Sequence, residues 1–314
     1  MKLIIQIPCY NEEDSLPETL KELPLKIDGI DQIEILIIDD GSTDQTSNIA
    51  KECNVNHIIR HKINQGLAQA FRSGIEFCVN QSADIIVNTD ADNQYPGAMI
   101  PNLIEPIVEK KADIVIGDRQ IGKIGHFSRT KKVLQRLGSW TIRKVSGTDI
   151  PDAPCGFRAF SKEAALKMNV LTDYTYTLET IIQAGRNNII MTSIPIYINP
   201  PTRSSRLMKS TLSYIGKSTK TILMLFVYYE PLRFFIYLST PFFIFGGTLW
   251  LRYLYLIFTL QDVVSGAFIQ SVVVGGISLL FGIFLFCLGL IGDILKKNRL
   301  LNEEQLYLIK KNIK

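Results

Sequence analysis

The sequence predicts an α/β protein: a doubly wound, mostly parallel sheet followed by a two-helix membrane hairpin. Three observations lead there. Short apolar runs alternate with helical patterns over the first half of the chain, as in successive β-α units. Those runs end in polar or acidic residues, which a parallel sheet gathers along one edge. Two stretches of 18 and 29 residues near the C-terminus carry no charge. With their apolar flanks they reach the ~20 residues that a bilayer crossing needs.

The chain has 314 residues, 46% of them hydrophobic, and a net charge of +4. Mean hydropathy is +0.15 and pI ≈ 8.7. The apolar excess begins at about Phe234. This mild basic balance suits phosphate ligands or an anionic membrane surface and gives no reason to expect nucleic acid. Cys9, Cys53, Cys78, Cys155 and Cys287 show no CxxC spacing, which argues against a zinc site or disulfide framework and fits a reducing compartment. The apolar run Lys2–Ile7 is too short for a signal peptide, and Pro8 ends it.

The elements follow in order. Lys2–Ile7 is a first strand, and Ser15 to Leu23 has a helical pattern. Ile33–Ile38 is a second, buried strand. Ser42 with Gln45 forms a capping box, so a helix is expected to start there. His57–Arg60 is a third strand, Asn64-Gln65-Gly66 a turn, and Leu67 to Val79 a helix. Ile85–Thr89 is a fourth strand, Pro101 to Glu109 a helix with proline near its start, and Ile114–Ile116 a fifth strand closed by Gly117-Asp118-Arg119. Ile194 to Ile198 reads as a later strand.

The fourth strand carries the most pointed chemistry. It runs into Asp90-Ala91-Asp92-Asn93-Gln94. Side chains two apart in an extended chain share a face, so Asp90, Asp92 and Gln94 can present oxygens together. Oxygen donors at the carboxyl end of a strand suit a hard cation, Mg²⁺ or Mn²⁺. An ordinary acidic turn has the same spacing. No GxGxxG follows the first strand and no GxxxxGK[ST] occurs, so a Rossmann dinucleotide fold and a P-loop are not expected.

Pro8-Cys9-Tyr10-Asn11-Glu12-Glu13, Asp39-Asp40-Gly41-Ser42, Asn64-Gln65-Gly66 and Thr89-Asp90-Ala91-Asp92 together resemble the successive motifs of family 2 glycosyltransferases. The resemblance implies the GT-A fold. It implies that Pro8, Tyr10, Asn11, Glu12, Asp39, Asp40, Gly66, Asp90 and Arg119 border a sugar nucleotide, and that Asp90, Asp92 and Gln94 hold a metal on its diphosphate. Such a metal would neutralise charge building on the leaving group.

Asp118–Val145 is strongly basic. Most of these charges read as a solvated face, with one or two arginines available to clamp phosphate. Asp152 to Phe160 resembles the acceptor-side motif of polyprenyl-phosphate glycosyltransferases, with Cys155 in a small-residue place. There the resemblance assigns Arg158 a catalytic role, together with Asp92 and with Glu179, an acid expected to face the sugar. Glu179 reads equally as a first-turn acid favoured by the helix dipole. Arg203, Ser205 and Arg206 resemble a segment of dolichol-phosphate mannose synthases that contacts lipid phosphate and diphosphate. A basic juxtamembrane anchor would carry the same charges.

The domain reading is a GT-A catalytic domain over 1–205, an amphipathic juxtamembrane segment over 206–232, spans over 233–260 and 263–292, and a tail over 293–314. Lys209, Lys217, Lys220 and Arg233 precede the spans and Lys296, Lys297 and Arg299 follow them, so the catalytic domain and C-terminus are expected on the cytoplasmic side of an integral membrane protein. Gly275, Gly282 and Gly289 recur every seven residues. They would admit a close helix: the first span or a second copy in a homo-oligomer.

The function expected is inverting transfer of a hexose from a UDP- or GDP-sugar to a polyprenyl phosphate, with membrane lipid as surroundings. Two rivals stand beside it. One is a processive or other-acceptor glycosyltransferase; a processive polysaccharide synthase would be expected to have more spans and Gln-x-x-Arg-Trp, which Gln135-Arg136-Leu137-Gly138-Ser139-Trp140 does not match. A silent membrane scaffold that binds nucleotide or lipid would have no need of the Asp90/Asp92 pair.

Overall fold

The computed structural model describes residues 1–123, 129–170, 176–200, 226–259 and 268–312, with a few positions between 216 and 224. The chain forms two compact units: Met1–Thr221 with Tyr307–Lys314, and Ile222–Leu306.

The first unit is built on a seven-stranded sheet of order β3-β2-β1-β4-β6-β5-β7. The strands are β1 (Lys2–Cys9), β2 (Gln32–Asp39), β3 (His57–Arg60), β4 (Ile85–Asn88), β5 (Ile114–Asp118), β6 (Arg158–Ser161) and β7 (Met191–Pro195). β1 is central and buried from Leu3 to Cys9, as its continuous apolar run requires. It pairs in parallel with β2 on one side and β4 on the other. The chain therefore changes direction of winding at β1, and the crevice outside the carboxyl ends of β1, β2 and β4 is the place where such sheets bind ligands. The helices α1 (Leu16–Lys21), α2 (Thr46–Glu52), α3 (Leu67–Asn80), α4 (Ile100–Val108), α5 (Arg129–Ser146), α6 (Lys162–Lys167) and α7 (Tyr176–Arg186) lie between the strands in sequence.

Three local expectations are corrected. The Ser42–Gln45 capping box does not form: α2 starts at Thr46 with no side-chain cap at Gln45. The Ser42 hydroxyl instead accepts the Asn11 N–H at 2.9 Å, and Asp44 Oδ1 accepts the Thr46 N–H at 3.0 Å. Tertiary contact to the first loop outweighs the local cap. The last strand is Met191–Pro195 rather than Ile194–Ile198, because its register is set by β5, with Ile114 opposite Met191. The sheet also contains β6, which the sequence reading took as motif alone. It is only four residues long and runs antiparallel between β4 and β5. That direction matters: Arg158, its first residue, pairs with Asn88, the last of β4. The loop before β6 is thereby delivered to the ligand edge of the sheet.

The second unit holds α8 (Pro231–Thr259) and most of α9 (Ile269–Asn312), up to Leu306; α9 continues without a break past the expected end of the span at 292. Both are long and apolar enough to cross a membrane. The glycine heptad faces α8. A Cβ at Gly275 would meet the Gly246 carbonyl at 3.1 Å, one at Gly282 the Phe243 ring at 3.3 Å, and one at Gly289 Phe235 Cβ at 2.9 Å. These glycines thus face their own chain's first span, the first of the two alternatives expected for them. Charged groups gather where the apolar runs end. Glu230 pairs with Arg233 (3.4 Å) and Lys296 (3.5 Å). The Arg299 guanidinium lies 4.3 and 5.0 Å from the ring centroids of Tyr229 and Tyr228.

Candidate active site

Four sequence-distant motifs meet at the carboxyl edge of β1, β2 and β4, and hydrogen bonds tie them together. Asn11 adopts a left-handed backbone (φ 55). Its side-chain oxygen accepts the Thr43 N–H at 2.8 Å, and the Glu12 N–H donates to Thr46 Oγ1 at 2.8 Å. Asp40 accepts the Gln65 and Gly66 N–H groups at 2.9 and 2.8 Å. Gly66 has φ 92, which suits glycine at this turn. At Gly41 (φ 73) an added Cβ would sit 2.6 Å from the Ile63 carbonyl carbon, so the two loops touch backbone to backbone.

The nucleotide-side candidates divide by exposure. Tyr10 is 40% exposed at the rim. Pro8 is the last residue but one of β1, and Glu12 is buried, its Oε2 accepting from Ser15 Oγ at 2.8 Å. Asp39 is fully buried. Its oxygens accept from Ser42 N and Ser47 Oγ, with Arg60 Nε 3.3 Å away. A carboxylate so enclosed shapes the loop and does not reach a nucleoside, a correction to its expected role. Asp40 is also buried, and it has a partner that the sequence reading missed. His61 Nδ1 lies 2.7 Å from Asp40 Oδ1, and its Nε2 lies 3.0 Å from Ser73 Oγ.

Asp90, Asp92 and Gln94 are half-buried after β4. Burial, then the neighbouring Asp92, raises the pKa of Asp90 to about 7. Gln94 donates to Asp92 through both its side-chain Nε2 (2.9 Å) and its backbone N–H (3.2 Å). Those two bonds orient Asp92. The donor set fits a divalent cation of the Mg²⁺ or Mn²⁺ kind. Two carboxylates two residues apart sit half-buried after β4, and such ions bind through one or two carboxylates plus water or phosphate. Among the described residues no cluster of three His, Cys, Asp or Glu side chains forms a closed cage. Gly156 keeps the space open: a Cβ there would lie 3.1 Å from both Asp90 oxygens and from the Tyr176 hydroxyl.

Beneath this pair runs a buried polar ladder. Gln6 Nε2 donates to Asn88 Oδ1 (2.9 Å), and Asn88 Nδ2 donates to the Gly156 carbonyl (2.9 Å) and to Tyr176 Oη (2.9 Å). Tyr176 is fully buried and stacks on Phe71 at 3.9 Å. A glutamine and an asparagine inside otherwise apolar strands were the available signal, since buried amides need partners.

Arg158 is not at the surface of the site. It is 0% exposed. Nε donates to the Cys155 carbonyl (2.7 Å), Nη1 to the Thr177 carbonyl and Thr180 Oγ1 (2.8 and 2.6 Å), and Nη2 to the Ala153 carbonyl (2.7 Å). This corrects the catalytic role expected of it: Arg158 holds the 153–155 loop against α7. Glu179, in the first turn of α7, is 2% exposed, and its Oε1 accepts from Gln183 Nε2 at 3.3 Å. Burial pushes the Cys155 thiol up to about 12, which disfavours the thiolate. Arg119 makes a two-pronged ion pair with Asp152, Nε to Oδ2 at 2.7 Å and Nη2 to Oδ1 at 2.8 Å. Arg203, Ser205 and Arg206 lie outside the described residues. Asn199, just before them, donates its N–H to the Gln94 carbonyl (2.9 Å) and its side chain to the Asn93 carbonyl (2.9 Å).

Comparison with known proteins agrees with this geometry. The profile of Glycosyl transferase family 2 matches residues 4–168, and the chain belongs to that family. It is 27% identical over 207 residues to an undecaprenyl-phosphate mannosyltransferase of Micrococcus luteus, covering 62% of this chain and 83% of that protein. It is 30% identical over 214 residues to a UDP-N-acetylglucosamine–dolichyl-phosphate N-acetylglucosaminyltransferase of Methanococcus voltae, covering 60% and 82%. Among solved structures, glucosyl-3-phosphoglycerate synthase of Mycobacterium tuberculosis superposes with a TM-score of 0.56 at 19% identity, covering 72% of this chain and 78% of that one. That likeness shows a common GT-A-type fold. The protein is a glycosyltransferase.

Proposed function

We propose that this glycosyltransferase moves a hexose from a UDP- or GDP-sugar to a polyprenyl phosphate, with inversion, at a membrane to which α8 and α9 anchor it. The observation that carries the reading is the Asp90–Asp92 pair in the β1/β4 crevice with the acceptor-side loop pressed against it at Gly156. The relatives support the acceptor class, since both act on a polyprenyl phosphate by name. They differ in sugar, so the donor stays at the level of a hexose nucleotide.

In this reading Asp90 and Asp92 hold a Mg²⁺ or Mn²⁺ ion, and Gln94 orients Asp92. The solved relative was crystallised with Mn²⁺ and UDP. Once bound, the ion offsets the negative charge of the departing nucleoside diphosphate. Pro8, Tyr10, Asn11, Glu12, Asp40 and Gly66 form the nucleoside wall, and Arg119 faces the diphosphate. The acceptor's phosphate oxygen forms the new bond to the anomeric carbon as the bond to the diphosphate breaks, so one displacement inverts the centre. A phosphate monoester with a second pKa of about 6 is already ionised at neutral pH. No general base is required, and Glu179 belongs to the acceptor-side wall without a proton to move. Arg203, Ser205 and Arg206 follow Asn199 within seven residues. That spacing supports a role on the lipid phosphate. Membrane anchorage would keep the enzyme on the surface where a lipid acceptor resides, a proximity effect. The positive charges flanking it support a cytoplasmic catalytic domain.

The test is transfer from radiolabelled UDP- and GDP-sugars into membranes with Mg²⁺ or Mn²⁺ and added polyprenyl phosphate. Label in an organic-extractable, mild-acid-labile product is expected from one donor. Asp92→Asn should remove that label while the protein still inserts and folds. Near-normal turnover by Asp92→Asn would sink the metal assignment, and no lipid label from any donor would sink the acceptor assignment.

A further inference from the structure

We infer that Asp152 is a positioning residue that aims Arg119 at the donor's diphosphate and links that contact to the acceptor-side loop; this rests on the reading of the site given above. Arg119 follows β5, at the ligand edge of the sheet. Its side chain is 11% exposed and that of Asp152 is 1% exposed. Two parallel side-chain bonds and a third from the Arg119 N–H to Asp152 Oδ2 (3.2 Å) fix the plane of the guanidinium.

The fork leaves one edge of the arginine unused. Nε and one hydrogen of Nη2 go to Asp152, and Nη1 makes no hydrogen bond among the described residues. An arginine carries five N–H donors, so three remain for a further acceptor. The group keeps its charge: burial opposes ionisation, but Tyr95 and then the Asp152 carboxylate hold its pKa well above the usual arginine value. Its field also reaches Asp90, whose proton affinity it lowers. A positive group whose field reaches the metal carboxylate Asp90, with free donors in a set plane, matches the oxygens of a diphosphate.

Asp152 acts on the other substrate through its backbone. Its carbonyl accepts the Cys155 N–H at 3.2 Å. That turn carries Gly156 to within 3.1 Å of the Asp90 oxygens, measured from where a Cβ would stand. One residue therefore holds the donor-side arginine by its side chain and the acceptor-side loop by its main chain. With both oxygens in the arginine fork, Asp152 is engaged as an anchor and not as a proton acceptor.

The experiment titrates UDP and GDP, each with Mn²⁺, and the matching free nucleosides into the full-length protein in detergent. Wild type is expected to bind one diphosphate. Asp152→Asn and Arg119→Ala should each weaken that diphosphate about tenfold or more, with the nucleoside unchanged. The double variant should be little worse than Arg119→Ala alone, because Asp152 works through the arginine. Arg119→Lys, which keeps the charge but not the fork, serves if Asp152→Asn does not fold. It too should bind the diphosphate weakly. Wild-type affinity in Asp152→Asn, or in Arg119→Lys, would overturn the inference. So would an Asp152→Asn loss that persists in full on the Arg119→Ala background. If wild type binds neither diphosphate, the donor reading itself fails and this inference falls with it.

Discussion

At the scale of the residue, Arg158 shows how a motif position can mislead. Beside the acceptor it reads as a catalytic cation, yet its three nitrogens bond to three main-chain carbonyls and a threonine hydroxyl. Only a planar guanidinium can reach so many acceptors at once. Burial lowers its pKa from the ordinary arginine value, and those carbonyls supply the compensating dipoles. Arg158→Ala leaves them without donors, at about 1–3 kcal/mol for each group that finds no water. The apparent Tm of the purified protein is expected to fall by several degrees. An unchanged Tm with lost transfer would return Arg158 to a direct catalytic role. Gln6 and Asn88 were equally hidden, because a polar residue in a short strand says that it has a partner but not which one. Only the β1–β4 register, with Gln6 opposite Asn88, names it.

At the scale of the element, the antiparallel β6 decides the site. Four residues are too few for periodicity to identify, and the neighbours β4 and β5 supply its hydrogen bonds. Reversing its direction would carry Gly156 to the far edge of the sheet. The helix pair α8–α9 rests on a different device. At Gly246 an added Cβ would lie 2.8 Å from the Gly275 carbonyl and 2.8 Å from Leu279 Cγ. Small residues at such crossings let helices approach closely where lipid offers no hydrophobic drive between them. Gly246→Leu is therefore expected to separate the pair. Disulfide trapping between cysteines placed on facing turns should drop sharply, and undiminished trapping would show that the contact tolerates bulk.

At the scale of the whole molecule, the two units divide the tasks. The first gathers four loops and an acidic pair at one sheet edge. The second presents large apolar side chains to its surroundings, among them Phe245, Leu251, Phe258 and Leu280. Its charged residues Glu230, Arg233 and Lys296 cluster at the limit of the apolar runs. The membrane anchorage proposed for α8 and α9 would account for that distribution. Washing membranes with alkaline carbonate should leave the protein in the pellet. Release into the supernatant would mean that the apolar helices are covered by protein and not by lipid.

The sequence by itself determined the class of sheet, the two apolar helices, the order of the nucleotide-side motifs and the acidic pair after β4. Each of these is local: an apolar run, a charge-free stretch, carboxylates two apart. Tertiary structure alone decided what depends on distant partners. It withdrew Asp39 and Arg158 into the scaffold, bonded Gln94 to Asp92, and set Ser42 on Asn11 instead of on its own helix. It paired Arg119 with Asp152 and closed the glycine face against α8. In each case the side chain's chemistry was legible from the start. Its use was not, because burial and hydrogen-bond geometry are set by segments tens of residues away.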